Sequence, residues 1–374
     1  MERYVLVPDS FKGTLGSGEI CAILREEILR AKPDAEVVSI PVADGGEGSV
    51  DAFLTAVGGQ RVQVPCHGPH MEEMTGFYGL LPDGTAVVEM AAAAGLPLAG
   101  NRLEPDTATT YGVGELMADA AARGARCIIL GLGGSATNDG GCGAAAALGA
   151  RFLDGQGKTF LPTGGNLDSI ARIDLGGQRP LPEITVMCDI DNPLCGPTGA
   201  SEVFGPQKGA DPEMVRRLDG NLRHLAEVIR RDLGAEILDL PGAGAAGGMG
   251  GGAAAFWNGK LQMGIETVLD TVDFDEIVRG ARLVITGEGC LDGQSLRGKV
   301  VSGVAARARR AGVPVVALVG AVGEGADGIY DLGVCGVFTT NHRPEPFEEA
   351  RLHAADNLRR TIRNLMGFLK AMEG

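Results

Sequence analysis

The chain has 374 residues, with 33 basic and 48 acidic side chains and therefore a formal net charge of −15. This length is enough for one large or two ordinary domains. A strongly acidic chain repels phosphate backbones and anionic lipids at long range, which argues against nucleic-acid and membrane-surface partners. The longest apolar run, at 313–322, is too short to span a bilayer, and the N-terminus lacks the pattern of a signal peptide. We therefore expect a cytoplasmic protein without membrane or nucleic-acid partners.

The eight cysteines are dispersed and form no CxxC pair, which is typical of single thiols in a reducing compartment. Cys66, His67 and His70 form a small cluster of soft metal ligands. A Gly-Pro turn explains their spacing without a metal. Disulfides and a zinc site are therefore both disfavoured.

Apolar strands alternate with amphipathic helices along much of the chain. A short apolar run at 4–8 precedes a helix predicted at 19–31, in which Ile20, Leu24 and Ile28 share one face. The same order of strand and helix is predicted at 36–42 and 49–57, 127–130 and 140–149, 283–286 and 300–310, and finally 313–319, 334–340 and 348–370. This alternation is typical of an α/β protein with a parallel sheet covered on both faces.

The middle of the chain has a different pattern. Closely spaced strands with Gly-Pro and Asp-Gly turns are predicted between residues 61 and 90 and indicate hairpins, and a charged amphipathic helix is predicted at 211–233. The strands near residues 4, 36, 283, 315 and 335 would form one five-stranded sheet if the middle folds separately. We therefore predict a discontinuous outer domain of residues 1–65 and 280–374 and an inserted α/β domain of residues 66–279.

Polar, glycine-rich loops follow the predicted strands. Ligands of open parallel sheets bind beyond the carboxyl ends of the strands, so these loops form the predicted functional region. The loops lie at 9–13, 44–48, 131–141, 189–193 and 287–292. They bring acidic groups, glycine turns and hydroxyls towards one edge.

Two glycine-rich segments, 131–141 and 242–252, are predicted phosphate cradles because such loops expose consecutive backbone N–H groups. They also match the dinucleotide patterns G-x-G-x-x-A and G-x-G-x-x-G, which keeps an NAD(P)-dependent dehydrogenase as an alternative. A plain turn or close packing would explain either run as well. Residues 293–300 approach the P-loop pattern but lack its Ser or Thr, so Arg297 and Lys299 are either phosphate contacts or surface charges.

Asp189, Asp191 and Asn192 follow a predicted strand and carry the oxygen ligands that Mg²⁺ prefers. An Asx turn before Pro193 would explain the same residues. Lys208 adds a cation in another tight turn, and a Ser-His-Asp hydrolase is disfavoured because the chain has no G-x-S-x-G motif. The residues alone indicate a two-domain α/β enzyme that handles nucleotides or phosphates, with Mg²⁺ as a candidate metal.

Seven segments of the chain resemble, in the same order, the motifs of the bacterial class I glycerate kinases. They are PDSFKG at 8–13, ADGGEG at 43–48, GGSATNDGG at 133–141, CDIDNPL at 188–194, FGPQKGA at 204–210, GAGAAGG at 242–248 and ITGEG at 285–289. The resemblance implies an ATP-dependent, Mg²⁺-assisted kinase that phosphorylates D-glycerate at the 2-hydroxyl. It also implies a flavodoxin-like, Rossmann-like parallel-sheet domain interrupted by an inserted α/β domain.

The resemblance and the needs of phosphoryl transfer together suggest roles for the loop residues. Asp189 is predicted as the base or an Mg²⁺ ligand, with Asn192 in support, Asp191 as a further ligand and Lys12 as a catalytic cation. The second choices for the metal ligand or the base are Asp44, Glu47, Asp139, Glu288 and Asp292. The predicted nucleotide-binding residues are Gly133, Gly134, Ser135, Thr137, Asn138, Asp139, Lys208, Gly287 and Glu288. The predicted glycerate-binding residues are Ser10, Asp44, Glu47 and Arg297.

Three positions depart from the family pattern. Cys290 stands where Arg is usual, Val301 where Pro is usual and Ala94 where Ser is common. If the usual arginine contacts phosphate, Arg297 or Lys299 would supply that cation in this protein. The alternatives are a kinase of another hydroxy acid or polyol, a kinase that makes 3-phosphoglycerate, a dehydrogenase and a sensor without turnover. We expect a monomer or a homodimer.

Overall fold

The computed structural model describes residues 1–43 and 45–372. The chain divides into two compact units. Unit 1 comprises Met1–Ala43 and Met263–Gly374, and unit 2 comprises Asp44–Gln262. Both units contain parallel sheets with helices, so the predicted α/β class is confirmed.

Strands and helices alternate through most of the chain. The strands are β1 Arg3–Pro8, β2 Glu36–Ser39, β3 Gln60–His67, β4 Glu73–Leu80, β5 Thr85–Glu89, β6 Cys127–Gly131, β7 Arg151–Leu153, β8 Thr159–Phe160, β9 Arg172–Asp174, β10 Glu183–Met187, β11 Lys260–Gln262, β12 Leu283–Leu291, β13 Val315–Val322 and β14 Val334–Thr339. The α-helices are α1 Ser17–Ala31, α2 Ser49–Val57, α3 Ala91–Ala94, α4 Leu96–Ala99, α5 Tyr111–Ala122, α6 Cys142–Ala147, α7 Ala200–Phe204, α8 Pro212–Leu233, α9 Ala245–Trp257, α10 Gly264–Thr271, α11 Phe274–Ile277, α12 Val300–Arg310, α13 Phe347–Ala350 and α14 Ala354–Met372. Short 3-10 helices lie at Gly164–Ser169, Pro206–Lys208, Ala326–Ile329 and Arg351–His353. Among the described residues, no helix combines the length and the apolar character needed to cross a membrane.

Unit 1 is built on a five-stranded parallel sheet with the order β14-β13-β12-β1-β2. Counted along the chain within the unit, this is the flavodoxin-like order 2-1-3-4-5. The order reverses between β1 and β12, where Pro8 is in register with Gly287. The predicted five-stranded sheet is therefore confirmed. Strand β2 ends at Ser39 rather than at residue 42, and Pro41 lies in the intervening stretch and has no N–H for a sheet.

Helices cover both faces of this sheet because its strands are apolar on both sides. Ile285 of β12 packs in one cluster with Leu24 of α1 and Ile362 of α14. Burial of each such side chain stabilises the folded state by about 1.5–3 kcal/mol relative to leaving it exposed. Thr286 and Glu288 alternate with Ile285 along the strand and face the opposite side, against which α12 packs.

Unit 2 contains a six-stranded sheet with the order β11-β10-β6-β5-β4-β3. Strands β5, β6, β10 and β11 are parallel, while β3 and β4 pair antiparallel and form the predicted hairpin region. Glu89, Gly131 and Met187 are in register at the carboxyl ends of three neighbouring strands. This register decides which loops of unit 2 meet.

Helix α8 supports one of these loops. Asp211 caps the helix by accepting hydrogen bonds from the N–H groups of Glu213 (3.0 Å) and Met214 (2.8 Å). On the buried face, Leu225 packs so near Gly140 that a Cβ atom there would lie 2.3 Å from the leucine. The predicted helix at 211–233 is confirmed, and its apolar stripe fixes the end of the loop after β6.

The units divide at residues 43/44 and 262/263, whereas the sequence places the boundaries at 65/66 and 279/280. Strand β3 pairs with β4 over its whole length, and α2 packs on β4 and β5, so both belong to unit 2. At the other boundary, Arg307 of α12 forms ion pairs with Glu266 and Asp270, which tie α10 to unit 1. Independent folding of the two units as an outer and an inserted domain stays a prediction.

We predict that Glu27 makes unit 1 sensitive to acid. Its buried side chain pairs with Arg363, Arg359 and Arg30, and the hydrogen bond from Arg363 is the main reason that its pKa lies below the ordinary value of 4.5. This stabilisation is complete above about pH 4.5 and is lost as the pH falls through the lower folded-state pKa. Glu27→Gln should therefore lower the melting temperature at pH 7, and the gap to wild type should close near pH 3.

Circular dichroism melts at both pH values would measure this gap. Glu26→Gln is the matched control because Glu26 is the neighbouring glutamate but is half-exposed, with ion pairs on the surface. A gap for Glu27→Gln that does not depend on pH would contradict the prediction.

Candidate active site

A cavity of about 190 Å³ opens at the carboxyl ends of β6 and β10 in unit 2. Its wall is formed by the loops after these two strands, by the 3-10 helix Pro206–Lys208 and by the start of α9. Apolar side chains, including Met187 and Phe204, form part of the wall. The polar groups of the wall are the backbone of Gly133 and Gly134 and the side chains of Ser135, Asp189, Gln207 and Lys208.

The loop after β6 lies very close to the backbone of residues 45–46. The N–H of Gly133 donates to the carbonyl oxygen of Gly45 at 2.9 Å. A Cβ atom on Gly131 would lie 2.5 Å from that oxygen, and a Cβ on Gly133 would lie 2.5 Å from the Cα of Gly46. Glycine is required here for close approach. The next two N–H groups of the loop, on residues 134 and 135, have no partner among the described residues, as a phosphate cradle requires.

Asp139 holds this loop from beneath the cavity. Its fully buried carboxylate accepts hydrogen bonds from the N–H (2.8 Å) and hydroxyl (2.9 Å) of Thr110 and from the N–H of Gly141 (3.1 Å). Burial raises the pKa of Asp139 in spite of these bonds. Thr137 and Asn138 are fully buried as well. Three predicted nucleotide-binding residues are therefore buried in the second half of the loop, and none of them lines the cavity.

Lys208 places a buried amino group at the cavity, with only 3% of the residue exposed. Its Nζ donates to the carbonyl oxygen of Thr137 at 2.7 Å and has no other hydrogen-bond partner in the described part of the chain. Loss of hydration lowers the pKa of Lys208 to about 7, and the nearby Asp139 carboxylate opposes this shift. A bound anion would favour the charged form further. Lys208 is thus suited to hold a phosphate.

Asp189 lines the cavity and is exposed to solvent. Asp191 is also exposed, and Asn192 is half-buried, but neither lines the cavity. The side-chain amide of Asn192 donates to the carbonyl of Thr198 at 2.7 Å, and its main-chain carbonyl accepts from the N–H of Gly244 at 3.0 Å. Asn192 therefore joins the loop after β10 to the second glycine-rich segment.

That second segment turns sharply before α9 becomes regular. Ala246, Gly247 and Gly248 adopt left-handed φ angles of 52°, 65° and 93°. Gly247 lies so close to Thr137 that a Cβ atom would be 2.0 Å from the threonine carbonyl oxygen. For Ala246, which lines the cavity, this conformation costs about 1–2 kcal/mol. Both predicted cradles thus meet at one site, and backbone strain of this kind often marks a functional position.

Other predicted site residues lie in unit 1. Ser10 and Lys12 follow β1, and Gly287 and Glu288 lie in β12. Arg297 is exposed in the segment before α12. These five residues belong to the carboxyl edge of the flavodoxin-like sheet, and none of them is among the residues that line the cavity of unit 2.

The segment at 45–50 is held by Glu89, a residue that the sequence analysis did not select for the site. Glu89, at the end of β5, is 1% exposed, and its Oε1 accepts a hydrogen bond from the N–H of Val50 at 2.5 Å. Its Oε2 has no partner among the described residues, and burial raises its pKa. Glu89 thereby anchors the start of α2 and the segment on which the exposed Glu47 lies, while Asp44 lies outside the described residues. The available signal in the sequence was an acidic residue directly after the apolar run 86–88.

These features define a class of protein. A parallel α/β sheet presents open N–H groups, a buried lysine and a carboxylate around one cavity at the carboxyl ends of its strands. This combination suits an enzyme that binds phosphate groups and acts on them.

Comparison with known proteins identifies the family. The sequence profile of the glycerate kinase family matches residues 4–370. The chain is 43% identical to the glycerate kinase of Bacillus cereus and 42% identical to the glycerate 2-kinase of Escherichia coli, in each case over 98% of both chains. A crystal structure from Salmonella typhimurium, provisionally named glycerate kinase 2, is similar with a TM-score of 0.87 and 42% identity over 100% of this chain and 99% of that one.

The chain belongs to the glycerate kinase family. It is therefore an enzyme of the kinase class that acts on a small molecule. The predicted family and the predicted kinase class are both confirmed, whereas the roles of individual residues stay predictions.

We predict that Lys208 makes unit 2 more stable as the pH rises. The pKa of Lys208 is about 7 in the folded protein against an ordinary 10.5, so between these values the unfolded chain binds one more proton. The free energy of unfolding should then rise with pH, relative to Lys208→Met, by up to about 1.4 kcal/mol per pH unit. Urea unfolding at pH 7 and pH 9, followed by fluorescence of the single tryptophan, Trp257 in α9, would measure it. Equal pH dependence in both proteins would contradict the prediction.

Proposed function

We propose that this enzyme transfers the γ-phosphoryl group of ATP, with Mg²⁺, to the 2-hydroxyl of D-glycerate. The observation that carries the proposal is the grouping of Asp189, Lys208 and the backbone of residues 133–135 around one cavity. The name of the Escherichia coli relative, glycerate 2-kinase, supports the 2-hydroxyl as the acceptor. A cytoplasmic location and a monomeric or homodimeric state stay predictions.

The glycine loop and Lys208 would hold the phosphate groups. Phosphoryl transfer asks the protein mainly to position the reactants and to neutralise charge. The N–H groups of Gly134 and Ser135 are held in place before any ligand arrives, because Asp139 fixes the loop from below. Donors that need no rearrangement stabilise charge without a reorganisation cost. Lys208 adds a full positive charge once an anion has bound, since a neighbouring anion raises its pKa.

Asp189 would remove the proton from the attacking hydroxyl. It is the carboxylate among the cavity-lining residues, and its exposure leaves it accessible to an incoming substrate. A positioned general base accelerates a reaction by about 10² to 10⁴. Asn192 supports Asp189 indirectly, because its bonds to Thr198 and Gly244 fix the loop on which both residues lie.

The residues present fit a magnesium ion that is held largely by substrate phosphates. Mg²⁺ usually needs one or two protein carboxylates beside phosphates and water. No group of three His, Cys, Asp or Glu side chains within the described ranges could hold a metal by itself. Asp189, and less directly Asp191, are the carboxylates available after β10. When bound, the ion would neutralise charge on the phosphates.

The proposed reaction can be tested by ³¹P NMR of the protein with ATP, Mg²⁺ and D-glycerate. We expect a new phosphomonoester at the shift of 2-phosphoglycerate and no product with L-glycerate. A signal from 3-phosphoglycerate would show that the 3-hydroxyl, not the 2-hydroxyl, is phosphorylated. Absence of any product in folded protein would overturn the proposal and direct attention to other hydroxy acids and polyols.

We predict that Asp189→Asn lowers kcat by about 10² to 10⁴ with little change in the KM for ATP, because the base is lost while the phosphate-binding groups remain. A coupled assay of ADP formation would measure both constants. Asp239→Asn is the matched control, since Asp239 is an exposed aspartate in the loop between α8 and α9 of unit 2. Recovery of Asp189→Asn activity by excess Mg²⁺ would show that Asp189 is a metal ligand instead of the base.

A further inference from the structure

The flavodoxin-like sheet of unit 1 has its own expected ligand position. In such sheets the crevice lies where the strand order reverses, beyond the carboxyl ends of the two central strands. In unit 1 these strands are β1 and β12. The polar residues at this point are not used by the cavity of unit 2, and a Cβ atom on Gly289 of β12 would be only 3.4 Å from the backbone of Phe11 and Lys12.

Glu288 is the distinctive group at this position. It is 7% exposed, and its Oε1 has no hydrogen-bond partner among the described residues. The neighbouring carboxylates are occupied locally: Asp9 accepts from the N–H of Ser10 at 2.7 Å, and Asp292 accepts from the N–H of Gln294 at 2.8 Å. A buried acceptor without a partner destabilises the folded protein, and the effect is larger when the acceptor is charged. Such a group indicates that a ligand supplies the missing donor.

A positive site adjoins Glu288. Lys299 is the N-terminal residue next to α12, and the first helical hydrogen bond runs from the N–H of Gly303 to its carbonyl (2.9 Å), so the N–H groups of the first turn lack helical partners. Helix N-termini with open N–H groups bind anions. Helix α12, which Lys299 precedes, packs on β12, the strand that carries Glu288. Burial is the main cause that raises the pKa of Glu288; the Ser295 hydroxyl and the charge of Lys299 oppose this shift, and the carboxylates of Asp9 and Asp292 add to it.

Taken together, these groups match the chemistry of a short hydroxy acid. In a three-carbon hydroxy acid, the carboxylate carbon is one or two bonds from the carbons that carry the hydroxyls. Such a molecule can place its carboxylate near Lys299 and its hydroxyls near Glu288. A ribose offers hydroxyls without an adjacent anion. A metal is a poorer match, because the described residues contain no set of three suitable side chains.

We propose that unit 1 binds the hydroxy-acid substrate, with Glu288 accepting hydrogen bonds from its hydroxyls and with Lys299 and the N-terminus of α12 holding its carboxylate. The proposal rests on glycerate phosphorylation as the proposed function and assigns Glu288 to the acceptor rather than to the nucleotide. Recognition of hydroxyls by a buried carboxylate also gives selectivity, because an analogue without the hydroxyl leaves that carboxylate unpaired.

The test compares Glu288→Gln with wild type. We expect the KM for D-glycerate to rise at least about tenfold, because a hydrogen bond to a charged group is lost, while the KM for ATP stays within about twofold. Glu324→Gln is the matched control, since Glu324 is an exposed glutamate after β13, at the same edge of the sheet. A rise in the KM for ATP alone would assign Glu288 to the nucleotide, and equal rises in both would indicate a structural role. Either result would overturn the proposal.

Substrate analogues provide a second readout that does not depend on turnover. D-lactate lacks the 3-hydroxyl of glycerate, and 3-hydroxypropionate lacks the 2-hydroxyl. In calorimetric titrations of wild type we expect at least one of them to bind about tenfold or more weakly than D-glycerate, and we expect this difference to disappear in Glu288→Gln. Equal differences in both proteins would contradict a contact between Glu288 and a hydroxyl.

The same titrations separate this proposal from the proposed function. If wild type binds D-glycerate with the expected selectivity but forms no product, the proposed reaction fails and the binding site stands. If Glu288→Gln does not fold, Lys299→Met replaces it, because the Lys299 side chain is on the surface. We expect Lys299→Met to weaken the binding of D-glycerate and of both analogues by a similar factor. An unchanged affinity for all three would refute the carboxylate site.

Discussion

The buried carboxylate of Asp139 is the constraint on which the cavity of unit 2 depends. A fully buried charge is tolerated only when hydrogen bonds replace its hydration. Thr110 and Gly141 supply such bonds to Asp139, and in doing so they fix the start of α5 and the end of the glycine loop. The loop can then leave N–H groups open at the cavity without collapsing onto itself. Asp139 also lies near Lys208, so the same buried charge helps to keep an amino group in a poorly hydrated place.

Close backbone packing is the second element of this design. Residues 131–133 approach 45–46, and residues 247–248 approach 137–140, at distances that leave no room for a side chain. The high glycine content, 60 of 374 residues, is in part the cost of bringing these loops together. Ala246 adopts a left-handed conformation in the same turn although it is not glycine. The cavity is therefore shaped by main chain more than by side chains, which suits a phosphate ligand.

The two units use the same architectural rule with different chemistry. Each presents its polar groups at the carboxyl ends of parallel strands. In unit 2 these groups are open N–H donors, a lysine and an exposed aspartate, a set suited to phosphate. In unit 1 they are the buried carboxylate of Glu288, whose Oε1 has no hydrogen-bond partner in the described ranges, a lysine and a helix N-terminus. This set is suited to a hydroxy acid. Such a division would let selectivity for each reactant be set separately.

The sequence by itself determined the α/β class, the five strands of unit 1, most helices and the family. Apolar runs and helical periodicity are local properties, and seven ordered motifs are specific. Only the tertiary structure decided which loop residues share a site. Thr137, Asn138 and Asp139 belong to the same motif as Gly133, yet they turn inward, because burial depends on packing against α5, α7 and α8. Strand β3 joined unit 2 because its partner is β4, a choice that spacing does not reveal. Whether a neighbour is left to bond Oε1 of Glu288 likewise depends on the packing around β12, and no sequence pattern contains that information.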